Sequence, residues 1–381
     1  PKVASLCYTH YTDRILYSLP TSDAAQRPLD SVFDGWFIYL ANNYREFKNQ
    51  ISGVKNYAKS GLFITFKNAS PFIFQGVDQL ETEAGVKITV GDGTLFARDP
   101  QMVTVSDSNY EYGSSQNRFS VISTPAGMYY ISQNQGKIFT YSGGLSELSQ
   151  AGMKWWFADY LPFKLLEDFP DYPHTDNPVA GIGCQTTYDN VSSIVYFSKK
   201  DYKLREEYKG IIVYDANVNQ FKLGKVTVSL QDETFFERAS WTVSFDPKSK
   251  YWVSFHDWHP DLVMGTKNTF LTTKDGGIWR HNDTCNDFCN FYGINYPFEI
   301  EMPLINGQTV GTLRSMEYIL ECYRKSQFNC IDQFHVLDHN FDKAVVFNTE
   351  QVSGVLNLNI FPKNNVALSL LYPQINLDSI D

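Results

Sequence analysis

The sequence predicts a mainly all-β protein, a β-propeller-like array of antiparallel hairpins followed by a β-rich C-terminal extension. Its 381 residues include 28 Phe and 24 Tyr, and aromatic side chains favour the half-buried surface of a strand. Short runs of alternating apolar residues recur along most of the chain and are separated by turn residues. This pattern is typical of antiparallel sheets rather than of βαβ units.

We expect three segments: an N-terminal segment of residues 1–45, a β-propeller-like domain of residues 46–300 and a C-terminal β-rich extension of residues 301–381. The length suffices for one large or two ordinary hydrophobic cores. The chain begins on Pro1 without a methionine and ends at Asp381, shortly after a strand-like run. These ends predict that the chain is a fragment of a longer protein.

Four groups of strand-like runs, joined by turns that contain Gly, Asn, Asp or Pro, predict the hairpins. The groups are residues 61–66, 71–74 and 86–96; residues 119–123, 128–133 and 137–141; residues 194–198 and 210–214; and residues 241–245, 251–262, 268–273 and 278–282. Residues 215–219 resemble a calcium loop only in part. They lack its Gly and its closing Glu, so they predict a hairpin turn. From residue 333 onward the extension returns to strands.

Two segments depart from this pattern. Behind Asp30 and Ser31, which suit a helix N-cap, apolar residues recur at three- and four-residue steps and predict an amphipathic helix. These residues are Phe33, Trp36, Phe37, Leu40, Tyr44, Phe47 and Ile51. Residues 316–323 fit a helix and a strand equally, and both alternatives stay open.

Composition excludes two classes of function. The chain carries 42 acidic and 32 basic residues, a net charge of −10, without a run of Lys or Arg that could neutralise phosphates. We therefore expect DNA to be a partner only in transit, without specific binding. No stretch approaches the roughly 18 consecutive apolar residues of a membrane-spanning helix. The first residues also lack the apolar core of a signal peptide.

The cysteines and histidines raise the question of a metal site. Cys285 and Cys289 lie near His281, and His256 and His259 occupy the preceding segment. Structural zinc usually draws on two tight ligand pairs, but this Cys-x3-Cys spacing has no second matching pair. We therefore predict no metal and no cofactor. All six cysteines are expected to be unpaired thiols, since a chain of this size does not depend on disulfides.

Catalytic signatures are weak. In a strand of period two, His256 and Trp258 would face one side and Asp257 and His259 the other, which argues against one compact acid–base site. A glycosidase needs two carboxylates, and 42 acidic residues make any pair uninformative. There is no Gly-x-Ser-x-Gly elbow and no phosphate-binding Gly-rich loop. We predict no catalytic residue and no enzymatic activity.

Residues 273–279, Thr-Lys-Asp-Gly-Gly-Ile-Trp, come close to the Asp-box hairpin of sialidase-type propellers. The motif occurs once and is one residue short before its Trp. We expect a hairpin in which the Asp275 side chain bonds backbone NH groups of the turn. The arginines that a sialidase needs for its substrate carboxylate are scattered along the chain. Because of the Asp-box-like motif, a carbohydrate-binding or glycoside-cleaving propeller of this type is kept as the alternative function.

Trp155, Trp156 and Phe157 form an aromatic triplet after Gly152. Three adjacent residues cannot all face one core, so at least one should contact a neighbour. This triplet is the candidate interface. A contact within the chain, an inter-subunit contact and a sugar platform are the three alternatives.

Several segments resemble large tail proteins of crAss-like bacteriophages, the muzzle group that closes the tail. The similar segments are residues 42–47, 91–96, 127–162, 251–282, 338–358 and 372–381. The resemblance implies a structural virion protein in the phage tail, assembled in the host cytoplasm as a ring with other tail proteins. It carries over no catalytic residue. Such a homo-oligomeric ring would border or close the channel for ejection of the genome and cargo.

Overall fold

The computed structural model describes residues 11–17, 44–57, 61–75, 79–81, 87–89, 99–104, 111–173, 178–281, 289–302, 316–320, 322–328, 331–337, 341–348, 351–358, 360–363 and 366–371. The chain divides into two compact units, Pro1–Asn282 and Asp283–Asp381. The segment boundaries predicted at residues 46 and 300 stay predictions.

The first unit is mostly β, with two short helices. Strands β1 to β8 are Arg14–Leu16, Tyr44–Glu46, Ile51–Tyr57, Gly61–Phe66, Phe72–Gln75, Gln79–Glu81, Lys87–Thr89 and Gln101–Met102. Strands β9 to β12 are Ile122–Thr124, Gly127–Ser132, Lys137–Tyr141 and Leu145–Glu147. Helices α1 and α2 are Lys154–Tyr160 and Leu165–Asp168. Strands β13 to β18 are Gly183–Asp189, Ile194–Lys200, Tyr202–Leu204, Ile212–Asp215, Gln220–Leu223 and Val226–Val228. Strands β19 to β24 are Phe236–Arg238, Trp241–Asp246, Tyr251–His256, Leu262–Gly265, Phe270–Lys274 and Gly277–His281.

These strands form four larger antiparallel sheets in chain order. Sheet A has the order β3-β4-β5-β8, sheet B has β12-β11-β10-β9, sheet C has β13-β14-β20-β21 and sheet D has β22-β23-β24. A smaller sheet, β16-β17-β18, and the pair β15-β19 lie in the segment between β14 and β20. Sheet B is therefore a meander of four consecutive strands, whereas sheet C is interrupted by an insertion.

Sheet B is buried on both faces, which explains why β10 is apolar at consecutive positions. Tyr130 points towards sheet A, where its ring centroid lies 5.7 Å from that of Phe63. The adjacent Tyr129 points the other way, and its ring lies 6.2 Å from that of Phe245 on sheet C. Successive strand residues face opposite sides of a sheet, so one strand supplies two hydrophobic cores.

Sheets C and D also pack face to face. The rings of Tyr196 and Phe270 are stacked with centroids 5.1 Å apart. Gln185, 1% exposed, joins the two sheets: its Nε2 donates to the Asp261 carbonyl at 3.0 Å, and its Oε1 accepts from the Val263 NH at 2.9 Å. A buried side chain amide satisfied from both sides fixes the relative register of the sheets.

Four sheets thus stack in series in the order A, B, C and D, the manner in which propeller blades pack. Among the described residues none of the sheets closes into a barrel. The all-β prediction is confirmed. A propeller-like arrangement of these sheets around a common axis stays a prediction.

The helix predicted behind Asp30 is wrong over its last part. Tyr44–Glu46 forms β2, which pairs with β1, and Ile51 begins β3. Phe47, between these strands, packs against the rings of Phe66 and Phe72 at 5.2 and 6.0 Å. Tertiary packing of this aromatic side chain outweighs the local helical spacing. The earlier part of the predicted helix lies outside the described residues.

Other hairpin predictions have mixed outcomes. The strands predicted within residues 128–133 and 137–141 are confirmed as β10 and β11, but Arg118–Ser120 is a 3-10 turn and β9 begins only at Ile122. Residues 194–198 and 210–214 do not form one unit, because they belong to sheet C and to the inserted sheet. The turn at residues 215–219 is confirmed as a hairpin, with the Asp215 carboxylate accepting from the Asn217 NH at 3.1 Å.

The second unit contains strands β25 to β33. These are Asn290–Phe291, Ile294–Asn295, Met316–Leu320, Cys322–Phe328, Ile331–Leu337, Lys343–Ala344, Leu356–Asn357, Ile360–Lys363 and Val366–Leu371. They pair as β25-β26, β28-β29, β30-β31 and the three-stranded sheet β27-β33-β32. The segment that fitted either period, residues 316–323, therefore contributes to two strands.

Candidate interface

The aromatic triplet lies on α1, a helix of seven residues. Successive helical residues are separated by about 100°, so the three side chains point in three directions. Trp155 is 77% exposed, Phe157 is completely buried and Trp156 is half-buried. The expectation that the triplet cannot face one core therefore agrees with the structure, and Trp155 is the outward residue.

Phe157 anchors α1 to the main hydrophobic core. Its ring centroid lies 4.9 Å from that of Trp252 and 5.8 Å from that of Trp241. On its other side, α1 is crossed by the β10–β11 turn at Gly136, whose φ is +61°. A Cβ on Gly136 would stand 2.9 Å from the Cα of Ala158, so both the backbone angle and the space require glycine.

Lys199 holds the C-terminal end of α1. Its ammonium donates to the carbonyl oxygens of Tyr160 at 2.8 Å and Pro162 at 2.7 Å, and the Trp241 indole NH donates to the Tyr160 carbonyl at 3.0 Å. The last carbonyls of a helix have no partner within the helix and carry partial negative charge. A cation at this position satisfies them.

Asp201 performs the complementary task for α2. Its carboxylate accepts from the backbone NH groups of Lys164 at 2.7 Å and Leu165 at 3.4 Å, where α2 begins. The Lys199 ammonium lies 2.7 Å from the same carboxylate, and both side chains are almost fully buried. Burial raises the pKa of Asp201, and the nearby Lys199 opposes that rise. This ion pair joins both helices to the end of β14.

Next to Trp155, the aromatic side chains of Trp156, Tyr160 and Phe255 are joined by ring contacts. The Trp156 ring stacks on Tyr160 with centroids 5.0 Å apart, and it meets Phe255 edge-on at 5.1 Å. Tyr160 and Phe255 are 51% and 59% exposed. We define the aromatic surface as Trp155, Trp156, Tyr160 and Phe255. The Lys154 ammonium lies 5.2 Å from the Trp155 ring centroid, a cation–π contact.

Phe255 belongs to β21, the edge strand of sheet C, which pairs with β20 and with no other strand of the described chain. Its neighbours Tyr251 and Val253 are 71% and 57% exposed. The pairing of β20 with β21 shifts at Val253, where a β-bulge adds one residue. The bulge places Trp252 and Phe255, three residues apart, on the side that contacts α1. Exposed apolar edge strands are sites where other chains dock.

A family model described as Crassvirus muzzle protein matches residues 77–276, more than half of the chain. The chain belongs to the Crassvirus muzzle protein family. Its predicted kinship with crAss-like phage muzzle proteins is thereby confirmed. No match is found among curated proteins. The matched region contains the whole aromatic surface.

Membership makes this muzzle-family chain a structural protein of a phage particle. Neither of its described helices, of seven and four residues, is long and apolar enough to cross a membrane. The use of Trp155, Trp156 and Phe157 as an interface stays a prediction.

The histidines considered for catalysis or for metal binding in this muzzle-family chain lie between sheets C and D. Burial lowers the pKa of His256, His259 and His281 to about 4 in each case. The rings of His256 and Trp258 lie 5.4 Å apart, on the same side as the period-two pattern predicted. His256 Nε2 bonds the Ser244 hydroxyl at 2.9 Å. Imidazoles of such low pKa are neutral at pH 7 and pack as aromatic side chains.

The Asp-box-like segment is the β23–β24 hairpin. The structure gives its turn a different carboxylate: the Asp275 NH donates to Asp261 Oδ2 at 3.1 Å. Asp261 also receives a short hydrogen bond from the Lys200 ammonium. The expected capping role of the Asp275 side chain is therefore taken by Asp261. Asp261 lies outside the turn but is held beside it, because its backbone NH donates to the carbonyl oxygen of Thr273.

Four of the described arginines of this muzzle-family chain pair with four separate carboxylates rather than with one common site. The pairs are Arg14 with Glu46 at 3.1 Å, Arg45 with Asp99 at 3.3 Å, Arg205 with Glu237 at 3.2 Å and Arg238 with Glu233 at 3.4 Å. An arginine already paired with a carboxylate is a poor receptor for a substrate carboxylate.

For the candidate metal ligands, the structure describes only part of the group. Cys285 lies outside the described residues, and Cys289 is half-buried in a turn with φ +59°. Within the described ranges, no three His, Cys, Asp or Glu side chains are placed to hold a metal ion. The absence of metal in the protein stays a prediction.

Proposed function

We propose that this chain is one copy of a homo-oligomeric ring in the phage tail, and that the ring borders or closes the path by which DNA and ejected proteins leave the particle. Membership of the muzzle family supports a structural role in the virion. The observation that carries the proposal is the aromatic surface, whose Trp155 and Tyr160 are exposed on a helix held at its end by buried charges. Tryptophan and tyrosine on rigid elements are typical interface anchors.

The charge of the chain suits a channel wall. Its net charge of −10 repels the DNA backbone, whereas a basic wall would bind phosphates through counterion release and stall the duplex. We propose that DNA meets this protein only in transit. The acidic residues that matter are those that face the channel in the assembled ring.

A propeller-like stack suits the same role. Sheets A to D bury their faces against one another and leave edges such as β21 and the outer surface of α1 for contacts with neighbours. In the proposed tail these neighbours are other copies of the chain and other tail proteins, and assembly takes place in the host cytoplasm.

We do not propose the sialidase-like alternative. It requires an arginine cluster, and four described arginines face four separate acidic side chains. The single Asp-box-like hairpin supports the sheet architecture rather than a reaction. We propose no catalytic role for this chain.

A density map of the intact particle tests the ring. We expect this chain in several symmetry-related copies around the tail axis, with acidic side chains on the wall of the opening. A chain found as an isolated copy on a peripheral fibre, or missing from the particle, would contradict the proposal. A basic wall would contradict only its electrostatic part.

A further inference from the structure

A cleft opens on the first unit where α2 ends and β16 begins. Its volume is about 260 Å³, and its walls include Phe169, Pro170, Val213 and Tyr214. The floor is rigid because Phe169 and Tyr214 both pack on the buried Phe221, with ring centroids 5.0 and 5.1 Å away. Val213 is 61% exposed, so an apolar wall of the cleft faces solvent.

Two carboxylates lie among the lining residues. Asp168 is 15% exposed and its Oδ1 lies 3.6 Å from the Lys209 ammonium. Asp171 is exposed and pairs with no cation of the described chain. The cleft therefore combines apolar walls with one carboxylate whose charge is not compensated. Such a site suits an apolar side chain that carries a hydrogen-bond donor, next to a positive charge.

The outward face of α1 has this chemistry. The Trp155 indole is apolar, carries one NH donor and is 77% exposed. The Lys154 ammonium lies against the same ring, so charge and indole are presented together. Trp155 and the cleft lie on different elements, since α1 packs on β11 and β21, whereas the cleft is formed by α2, β15 and β16.

We propose that the Trp155 side chain of one copy inserts into the cleft of the next copy, with Lys154 placed against Asp171. The inference rests on the proposed ring and names the two surfaces that would build it. One copy contributes the indole and the other the cleft, so the contact is heterologous. Repeated around an axis, a heterologous contact closes into a ring in which every indole and every cleft is occupied.

The first experiment mixes two complementary variants of the full chain. Trp155→Ala removes the indole, and Val213→Trp fills the cleft at a position that solvent already reaches. Each variant alone is expected to associate about 10- to 1,000-fold more weakly than the wild type in sedimentation velocity, the range for a buried anchor. Mixed together, they retain one intact indole and one intact cleft, and should form a heterodimer that cannot grow. Ile278→Ala, 72% exposed, is the matched control and should associate like the wild type.

The second experiment exchanges the charges. Lys154→Glu and Asp171→Lys should each weaken association about tenfold or more, and the double variant should recover most of the loss, because opposite charges again face each other across the contact. Lys267→Glu changes an exposed lysine in the loop between β22 and β23; it makes the same change in net charge as Lys154→Glu and should have no effect. Thermal midpoints equal to that of the wild type show that every variant is folded.

The outcomes separate this inference from the proposed function. If rings persist in Val213→Trp, or if the charge variants do not rescue each other, the proposed contact between Trp155 and the cleft is wrong. The proposed ring is not contradicted by either result. A particle map with a ring in which Trp155 lies away from the neighbouring cleft does the same. A wild-type chain that stays monomeric overturns the inference, and a map without a ring overturns the proposed function as well.

Discussion

Mild acid should destabilise this protein through histidines that are buried in neutral form. His256 and His259 are the most deeply buried, and each has its pKa lowered from 6.5 to about 4. His256 lies near Asp257, which opposes the shift, whereas Lys274 and Arg238 reinforce the shift at His259. The folded state therefore binds fewer protons than the unfolded chain between these two pH values. The contribution of these histidines to the free energy of unfolding is complete above pH 6.5 and is lost as the pH decreases towards 4.

The magnitude follows from the two pKa values. At pH 5 an unfolded histidine is almost fully protonated and the folded one is almost neutral, which removes roughly 2 kcal/mol of unfolding free energy per histidine. Two such groups remove about 4 kcal/mol, a large part of the 5–15 kcal/mol that is typical of a folded protein. Carboxylates such as Glu147, whose pKa is lowered from 4.5 by Lys137 and Ser149 against the opposing effect of burial, act only at lower pH.

Urea unfolding followed by tryptophan fluorescence at pH 7.5, 6.5, 5.5 and 5 would measure the effect. His256→Gln and His259→Gln should each reduce the difference between pH 7.5 and pH 5 by about 2 kcal/mol, whatever they do to the absolute stability. The reasoning is refuted if the wild-type protein is equally stable at both ends of this range. It is also refuted if the double variant keeps the full pH dependence.

Three further predictions concern α1, its supporting ion pair and the cysteines. Phe157→Ala should lower the unfolding free energy by about 3–5 kcal/mol in a denaturant titration. Trp155→Ala should leave the thermal midpoint nearly unchanged and weaken association by about 1–4 kcal/mol. Equal thermal midpoints for the two variants would contradict the orientations assigned to these side chains. Lys199→Met should destabilise the chain by about 3–5 kcal/mol because Asp201 is left as an unpaired buried charge, and a loss below about 1 kcal/mol would show that solvent reaches the pair. Elemental analysis should find no stoichiometric zinc, and one zinc abolished by Cys285→Ser would overturn this prediction.

The sheets were predictable because their signal is local. In β10 the consecutive apolar residues Tyr129 and Tyr130 indicate a strand buried on both faces, and the Gly-containing turns around it mark hairpin ends. The strand ends were less predictable, as the 3-10 turn at Arg118–Ser120 shows. The prediction of a helix behind Asp30 is wrong at Phe47. The rings that Phe47 contacts, Phe66 and Phe72, lie about 20 residues further along the chain, and local periodicity carries no information about such distant contacts.

The aromatic surface was only partly predictable. The triplet at Trp155 indicated that one aromatic ring must leave the core, but sequence alone could not say which. Phe255 was missed because strict alternation would place it and Trp252 on different faces of the sheet. Only the bulge at Val253 turns both side chains towards α1. A bulge depends on how two strands meet, and the apolar run Tyr251–His256 carries no local sign of it.

The ion pair of Lys199 and Asp201 shows why the rigidity of this surface could not be predicted. In sequence the pair follows an apolar strand as part of Lys-Lys-Asp, a run that normally ends a strand in solvent. Both residues are buried because α1 and α2 cover the end of β14, and both helices are too short to be stable alone. The helices in turn need the pair, since its two charges satisfy carbonyl oxygens at the end of α1 and NH groups at the start of α2. Burial of the charges and formation of the helices are therefore one cooperative event. As a result Trp155 is presented on a fixed backbone, which reduces the conformational entropy lost when it binds a neighbour.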